Sequence, residues 1–198
     1  MKCIRLFSVR LLILIAGSLQ LACVYEHLAP DVPTWGSASA LVNKEKWGSI
    51  YPGFFQAIRA IGGTYGTAIP CQNEYYMISI DLYNNNAFHR ESFDFVKVPF
   101  TKGKHNITDF NFQCVVDEPV AYGSFWTLGN DGDVSQDNYD VLETEDNYIV
   151  IDFYNTNTQE VKGSFQVTFV INRRSANNPS SLPDTLRFTN GIFHTKIL

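Results

Sequence analysis

The sequence predicts an all-β protein, a single-domain antiparallel β-sandwich, with a closed or partly open β-barrel as the alternative. Three observations predict it. Aromatics make up 14% of the 198 residues, with 15 Phe and 10 Tyr against 2 Met, a bias toward pleated, half-buried strands. Several segments alternate apolar and polar residues with a period of two. Turn residues recur about every ten residues between short strands, and no long helices intervene, which argues against a parallel α/β sheet. No repeat of fixed period is present, which counts against propellers and solenoids. The length suits one core, and 45% apolar with 18% charged residues describes a folding chain.

The elements follow in chain order. Residues 1–22 carry Lys2, Arg5 and Arg10 and then an apolar stretch from Leu11 to Ala22 broken only by Gly17, Ser18 and Gln20. That is the charged start and short apolar middle of a secretory signal, too short for the roughly 20 apolar residues that span a bilayer. After Leu28 the chain turns polar, and no later stretch is long enough to span. An exported protein without a membrane helix is therefore expected. Leu21-Ala22-Cys23 resembles a bacterial lipobox, in which Cys23 is lipidated and becomes the first mature residue; Gln20 departs from the usual Leu. Ordinary cleavage near Ala22 with a free Cys23 is the alternative, and Cys3 is discarded under either. Several acyl chains, at about 0.8 kcal/mol per buried methylene, would hold the protein on a membrane.

Residues 23–36 read as a lipid-anchored tether with two prolines and no periodicity. Loss of residues 1–22 leaves 12 Lys and Arg against 20 Asp and Glu, a net charge of −8. Such a body should not lie flat on an anionic leaflet. The expected location is the bacterial cell envelope, as an outer-membrane lipoprotein. Some Bacteroidota lipoproteins reach the surface through an acidic run after the Cys; here only Glu26 is acidic, which favours the periplasmic face.

The β-sandwich is expected over residues 37–198. Its first strand is Ser39–Asn43. Phe54–Ile61 fits a helical stripe through Phe54, Ile58 and Ile61, but eight residues between glycines favour a strand. Tyr76–Tyr83, Phe93–Val98, Phe110–Val116, Val120–Leu128 and Tyr139–Glu143 read as further strands. Tyr148–Tyr154 is apolar on both faces apart from Asp152, as a central strand would be. The turn residues 155–159 join it as a hairpin to Glu160–Asn172. In that last segment five of the six odd positions are large and apolar, against one of seven even ones, so one face is core and the other solvent. Thr185–Thr189 and Ile192–Ile197 follow. Asn190-Gly191 between them reads as a tight turn, or alternatively as a bulge within one strand.

Three stretches carry a resemblance. Ala40-Leu-Val-Asn-Lys-Glu-Lys-Trp47, Val161-Lys-Gly-Ser-Phe165 and Leu186-Arg-Phe-Thr-Asn-Gly-Ile-Phe193 resemble an early strand and turn ending in Trp, a late V-x-G-x-F strand and a final T-x-G-x-F element. Together they look like a family of small, β-rich Bacteroidota lipoproteins known only as a domain of unknown function, over most of residues 35–198. The resemblance implies a membrane-anchored β fold and lends no catalytic residue.

The chemistry-bearing residues are few. His27, His89, His105 and His194 lack metal-ligand spacing and read as scattered surface residues. No G-x-S-x-G elbow is present, and Gly62-Gly63 reads as a turn and not as a phosphate cradle. Asp131, Asp133 and Asp137 lie in an acid-rich stretch that begins like a calcium loop, yet Gln136 and Leu142 stand where that loop needs Gly and Glu. A solvated loop is the expectation, with a weak metal site as its alternative. Cys71 and Cys114 can pair in an oxidising compartment, closing a loop worth roughly 4 kcal/mol; a buried free thiol at Cys114 suits the strand pattern equally. Trp126 with Tyr75 and Tyr76 could form a sugar-stacking platform, although alternation assigns most aromatics to the core.

No catalytic residue and no cofactor is expected, and the negative charge argues against nucleic acid. The functional expectation is a non-catalytic binding module for a protein or glycan. A structural subunit of an envelope assembly is the alternative, and a hydrolase assembled from distant residues ranks last.

Overall fold

Alternation decides what each strand buries, and the computed structural model, which describes residues 34–62, 75–109 and 120–198, shows the result as an all-β fold. Eleven strands make one sheet: β1 Gly36–Val42, β2 Glu45–Lys46, β3 Phe55–Gly62, β4 Tyr75–Tyr83, β5 His89–Pro99, β6 Gly103–Asp109, β7 Ala121–Leu128, β8 Ser135–Val141, β9 Tyr148–Asn155, β10 Glu160–Arg173 and β11 Thr185–Lys196. Their order is β2-β1-β11-β10-β9-β6-β7-β5-β4-β3, with β8 paired to both β10 and β7. All pairs are antiparallel except β6 with β7, which run parallel across the connection 110–120.

The sheet doubles over into two layers. On one side β10 hands its first half to β9 and its second half to β8. β7 likewise pairs with β6 and then with β8, so this side is continuous. The opposite side closes through little more than an Ala60–Ile197 bridge and the bonds from Leu198 N to Ala60 O (2.9 Å) and Trp35 N to Ile58 O (3.0 Å). The result is a sandwich and not a clean barrel.

Phe93 sits where the layers meet. Its ring centroid lies 4.5–6.3 Å from those of Trp47, Phe95, Phe125, Phe165, Phe169 and Phe188, most of them edge to face. In β10 the odd positions face inward: Val161, Phe165, Val167 and Phe169 are buried, while Lys162 and Asn172 are exposed. β9 is central, between β10 and β6, and its outer aromatics lie beneath lysines: Lys104 over Tyr148, and Lys102 and Lys162 over Phe153.

Residues 55–62 form a strand, as the glycine spacing suggests. The tight turn at Asn190-Gly191 is not formed. β11 runs on unbroken, Asn190 takes φ 52°, and the register slips there against both β1 and β10. Because each flanking strand continues past this point, the residue that favours positive φ makes a bulge and not a reversal. β6 is not legible in the sequence, because only His105 and Ile107 of its polar stretch are buried. The expected strand Phe110–Val116 lies outside the described residues, as do Cys23, Cys71 and Cys114.

Candidate functional site

An inward-facing acid marks the site. Glu91 shares the face of β5 that carries Phe93 and Phe95, and it is 1% exposed. Trp47 Nε1 donates to Glu91 Oε2 at 2.6 Å, and Tyr51 lies beside the same carboxyl. Burial pushes this carboxyl above the ordinary glutamate range, against the bond from Trp47, the neighbouring Tyr51 hydroxyl and the charges of Arg90 and His89, which pull it down. Burial, and then the neighbouring Glu91 charge, push the Tyr51 phenol up as well.

Glu91 opens onto a pocket of about 200 Å³ whose walls include Trp47, Phe125, Phe188, Leu186, Leu182 and Val42, with Ile50 half-exposed beside them. The walls are overwhelmingly apolar. Sequence reasoning passes over Glu91. The available signal is an acid in step with two phenylalanines in His89-Arg-Glu-Ser-Phe-Asp-Phe95. The positive φ of both Asn43 and Lys44 makes the tight turn that folds β2 back on β1 and brings Trp47 over this end of the core.

Asp137 is occupied by a loop, and through that loop it builds a wall of this pocket. Ser175 N, Ser180 N and Ser180 Oγ donate to its carboxylate at 3.0, 3.1 and 2.7 Å. Arg174 Nη2 donates to Leu182 O and to Asp184, so the 174–184 loop is held where Leu182 and Pro183 face the pocket. Because β8 begins at Ser135, Asp137 is a buried residue of that strand, its N–H donating to Thr127 Oγ1, whereas Asp131 and Asp133 are exposed in the preceding loop. Asp131 accepts from Asp133 N. Among the described residues no three His, Cys, Asp or Glu side chains gather in a metal-binding arrangement.

A second polar cluster lies on the outer face of β3, β4, β5 and β7. Ser79 Oγ donates to Asp94 Oδ1 at 2.6 Å, Ser92 Oγ donates to Asp81, and Trp126 Nε1 reaches Asp94 Oδ2 at 3.3 Å. Burial raises Asp81, but bonds from His89 and Ser92 and the charges of His89 and Arg59 bring it below the ordinary aspartate range. Burial dominates at Asp94, which is raised. Phe55, Tyr83 and His89 stack in a row at 5.2 and 4.9 Å, and Trp126 meets His89 edge-on at 5.4 Å. The stack covers both faces of Tyr83 and one face each of Phe55 and His89.

Tyr75 and Tyr76 do not join Trp126. They lie at the far end of β4 from Asp81, roughly 16–20 Å away at about 3.3 Å per residue, whereas Trp126 is level with Asp81 through Ser92. Tyr76 is 2% exposed against Phe100, and Lys97 lies over Tyr75. The histidines are not scattered over the surface either. His105 is buried on Thr101 O, His89 is half-buried beside Asp81, and His194 packs edge-on to Trp35; His27 lies outside the described residues.

The Asp81 network has a testable pH signature. A carboxylate held below its unfolded value stabilises the fold above that value and loses the contribution as pH falls through its folded value. Asp81→Asn should therefore show a smaller acid-side loss of stability than the wild type. Urea unfolding midpoints between pH 2 and 6 measure it, and parallel curves for the two proteins would rule the contribution out.

Compared with known proteins, the chain matches no family model, no curated protein and no solved structure.

Proposed function

We propose that this protein is a non-catalytic binding module of the bacterial cell envelope, tethered through lipid on Cys23 at the periplasmic face of the outer membrane. Its ligand is a protein that seats an apolar group in the Glu91 pocket. The pocket carries the reading: a cavity of about 200 Å³ with mostly apolar walls, Glu91 set among them, and Asn43, Glu45, Lys46 and Ser49 also in its lining. Ligand sites commonly have that form, and an apolar cavity of about 150 Å³ already takes a benzene ring. A protein is favoured over a glycan because sugars stack on open ring faces, and the stack takes both faces of Tyr83 and one each of Phe55 and His89.

Titration of the full chain with toluene, followed by shifts of methyl signals from Val42, Leu182 and Leu186, tests the pocket. Saturable shifts that vanish in Leu182→Trp, which fills the wall, are expected. An absence of shifts at millimolar toluene refutes the reading. If Trp126→Ala instead abolishes binding to a glycan array, the ligand is a sugar and the outer face is the site.

A further inference from the structure

The pocket has a gradient of chemistry along its lining, apolar over most of its wall and acidic at Glu91. We propose that the group it receives is an alkylammonium, the side chain of a lysine on the protein partner, with its stem against Trp47, Phe125 and Phe188 and its charge on Glu91; this rests on the binding reading above.

Three observations carry it. First, Glu91 accepts from Trp47 Nε1–H with the Tyr51 side chain beside it, surroundings that suit a carboxylate acceptor. An ionised carboxylate offers about four acceptor sites, so a further donor can be received. Second, aromatic rings, which attract a cation within about 6 Å of their faces, lie in the wall at Trp47, Phe125 and Phe188, each no more than 3% exposed. Third, the cations around the site hold other partners as well, although the Arg90 charge also acts on Glu91. Arg90, next along β5, donates to Asn130 Oδ1 at 2.7 Å and lies over the Tyr51 ring at 5.2 Å. Lys46 at the rim places its ammonium over Phe54 at 5.0 Å. The net charge of −8 expected for the exported portion adds long-range attraction for a basic partner.

Charge matching also predicts a pH dependence. The groups facing Glu91 are Trp47 and Tyr51 from the β2–β3 connection, Glu45 and Lys46 of β2 at the rim, and Arg90 and His89 of its own strand. An ammonium favours the ionised carboxyl, so binding should weaken as pH falls and Glu91 takes up a proton.

The test compares N-acetyl-lysine N-methylamide with its uncharged isostere, N-acetyl-2-aminoheptanoic acid N-methylamide, in which a methyl replaces the ammonium, titrated into the full chain and followed by NMR. The lysine derivative is expected to bind at least tenfold more tightly than the isostere at pH 8 and to lose that advantage in Glu91→Gln. The amide introduced by that substitution keeps an acceptor for Trp47. Leu182→Trp, which leaves Glu91 untouched, should abolish binding of both probes. Equal binding of the two derivatives overturns the ammonium while leaving the pocket reading intact. Binding of the lysine derivative unchanged in Glu91→Gln also overturns it. If toluene and both derivatives all fail to bind, the ammonium inference and the binding reading fall together.

Discussion

Phe93→Ala should lower the free energy of unfolding by about 3–5 kcal/mol. Phe93 is 0% exposed, and six rings from both layers converge on it. Truncation removes the transfer energy of the ring and leaves a hole that rigid aromatic neighbours fill poorly. A typical domain has about 5–15 kcal/mol of stability in total, so the variant should sit near the edge of folding. Phe88→Ala is the matched control: Phe88 is 43% exposed, and its loss should change stability by no more than about 0.5 kcal/mol. Urea unfolding midpoints for the two variants measure the contrast. Similar losses for both would show that the layers do not meet through Phe93.

Gly163→Ala is the second large effect, at about 3 kcal/mol, the upper end of ordinary overpacking. A methyl group at 163 would run into Val150 O and lie 2.7 Å from the tip of the Phe193 ring. The oxygen belongs to the backbone of β9, which pairs with β10, so it cannot retreat without breaking the ladder. The geometry is reciprocal, because Gly163 opposes Phe193 and Gly191 opposes Phe165 across β10 and β11. At Gly191 the obstacle is a side chain alone, the Phe165 ring at 2.5 Å. Gly191→Ala should therefore cost less, and Phe165→Leu should offset part of it in a double-mutant cycle. Phe193→Leu should not rescue Gly163→Ala, since Val150 O remains. Thermal melts of the four single variants and the two double variants decide between a backbone and a side-chain clash.

These pairs explain two stretches singled out by resemblance. Val161-Lys-Gly-Ser-Phe165 and Asn190-Gly-Ile-Phe193 are visible in the chain as separate motifs, each a glycine two residues before a phenylalanine. Nothing local says that one motif is laid antiparallel on the other. The bulge at Asn190 is open to either interpretation for the same reason: a positive φ serves a reversal and a bulge equally, and strands on both sides select the bulge.

Glu91 and Asp137 show where local reasoning stops. Closeness in sequence groups Asp137 with Asp131 and Asp133, but the donors that claim it lie at 175–180. Glu91 draws no attention in the sequence because a single acid in a polar-looking segment is ordinary. Only its burial between the layers, under Trp47, makes it unusual. Trp126 is open in the sequence to a stacking platform or to the core, and the structure gives it neither alone: it is half-buried, its indole N–H tied to Asp94 and its ring abutting His89.

What the sequence by itself determined was the all-β class and the inward face of each strongly alternating strand, because a two-residue period is a local property of the chain. Glu160–Asn172 carries that information whole. Sandwich against barrel, the bulge in β11, the Gly–Phe pairs and the Glu91 pocket were decided only by tertiary structure. Each depends on which distant strand lies opposite, and that follows from how two aromatic faces close on one another.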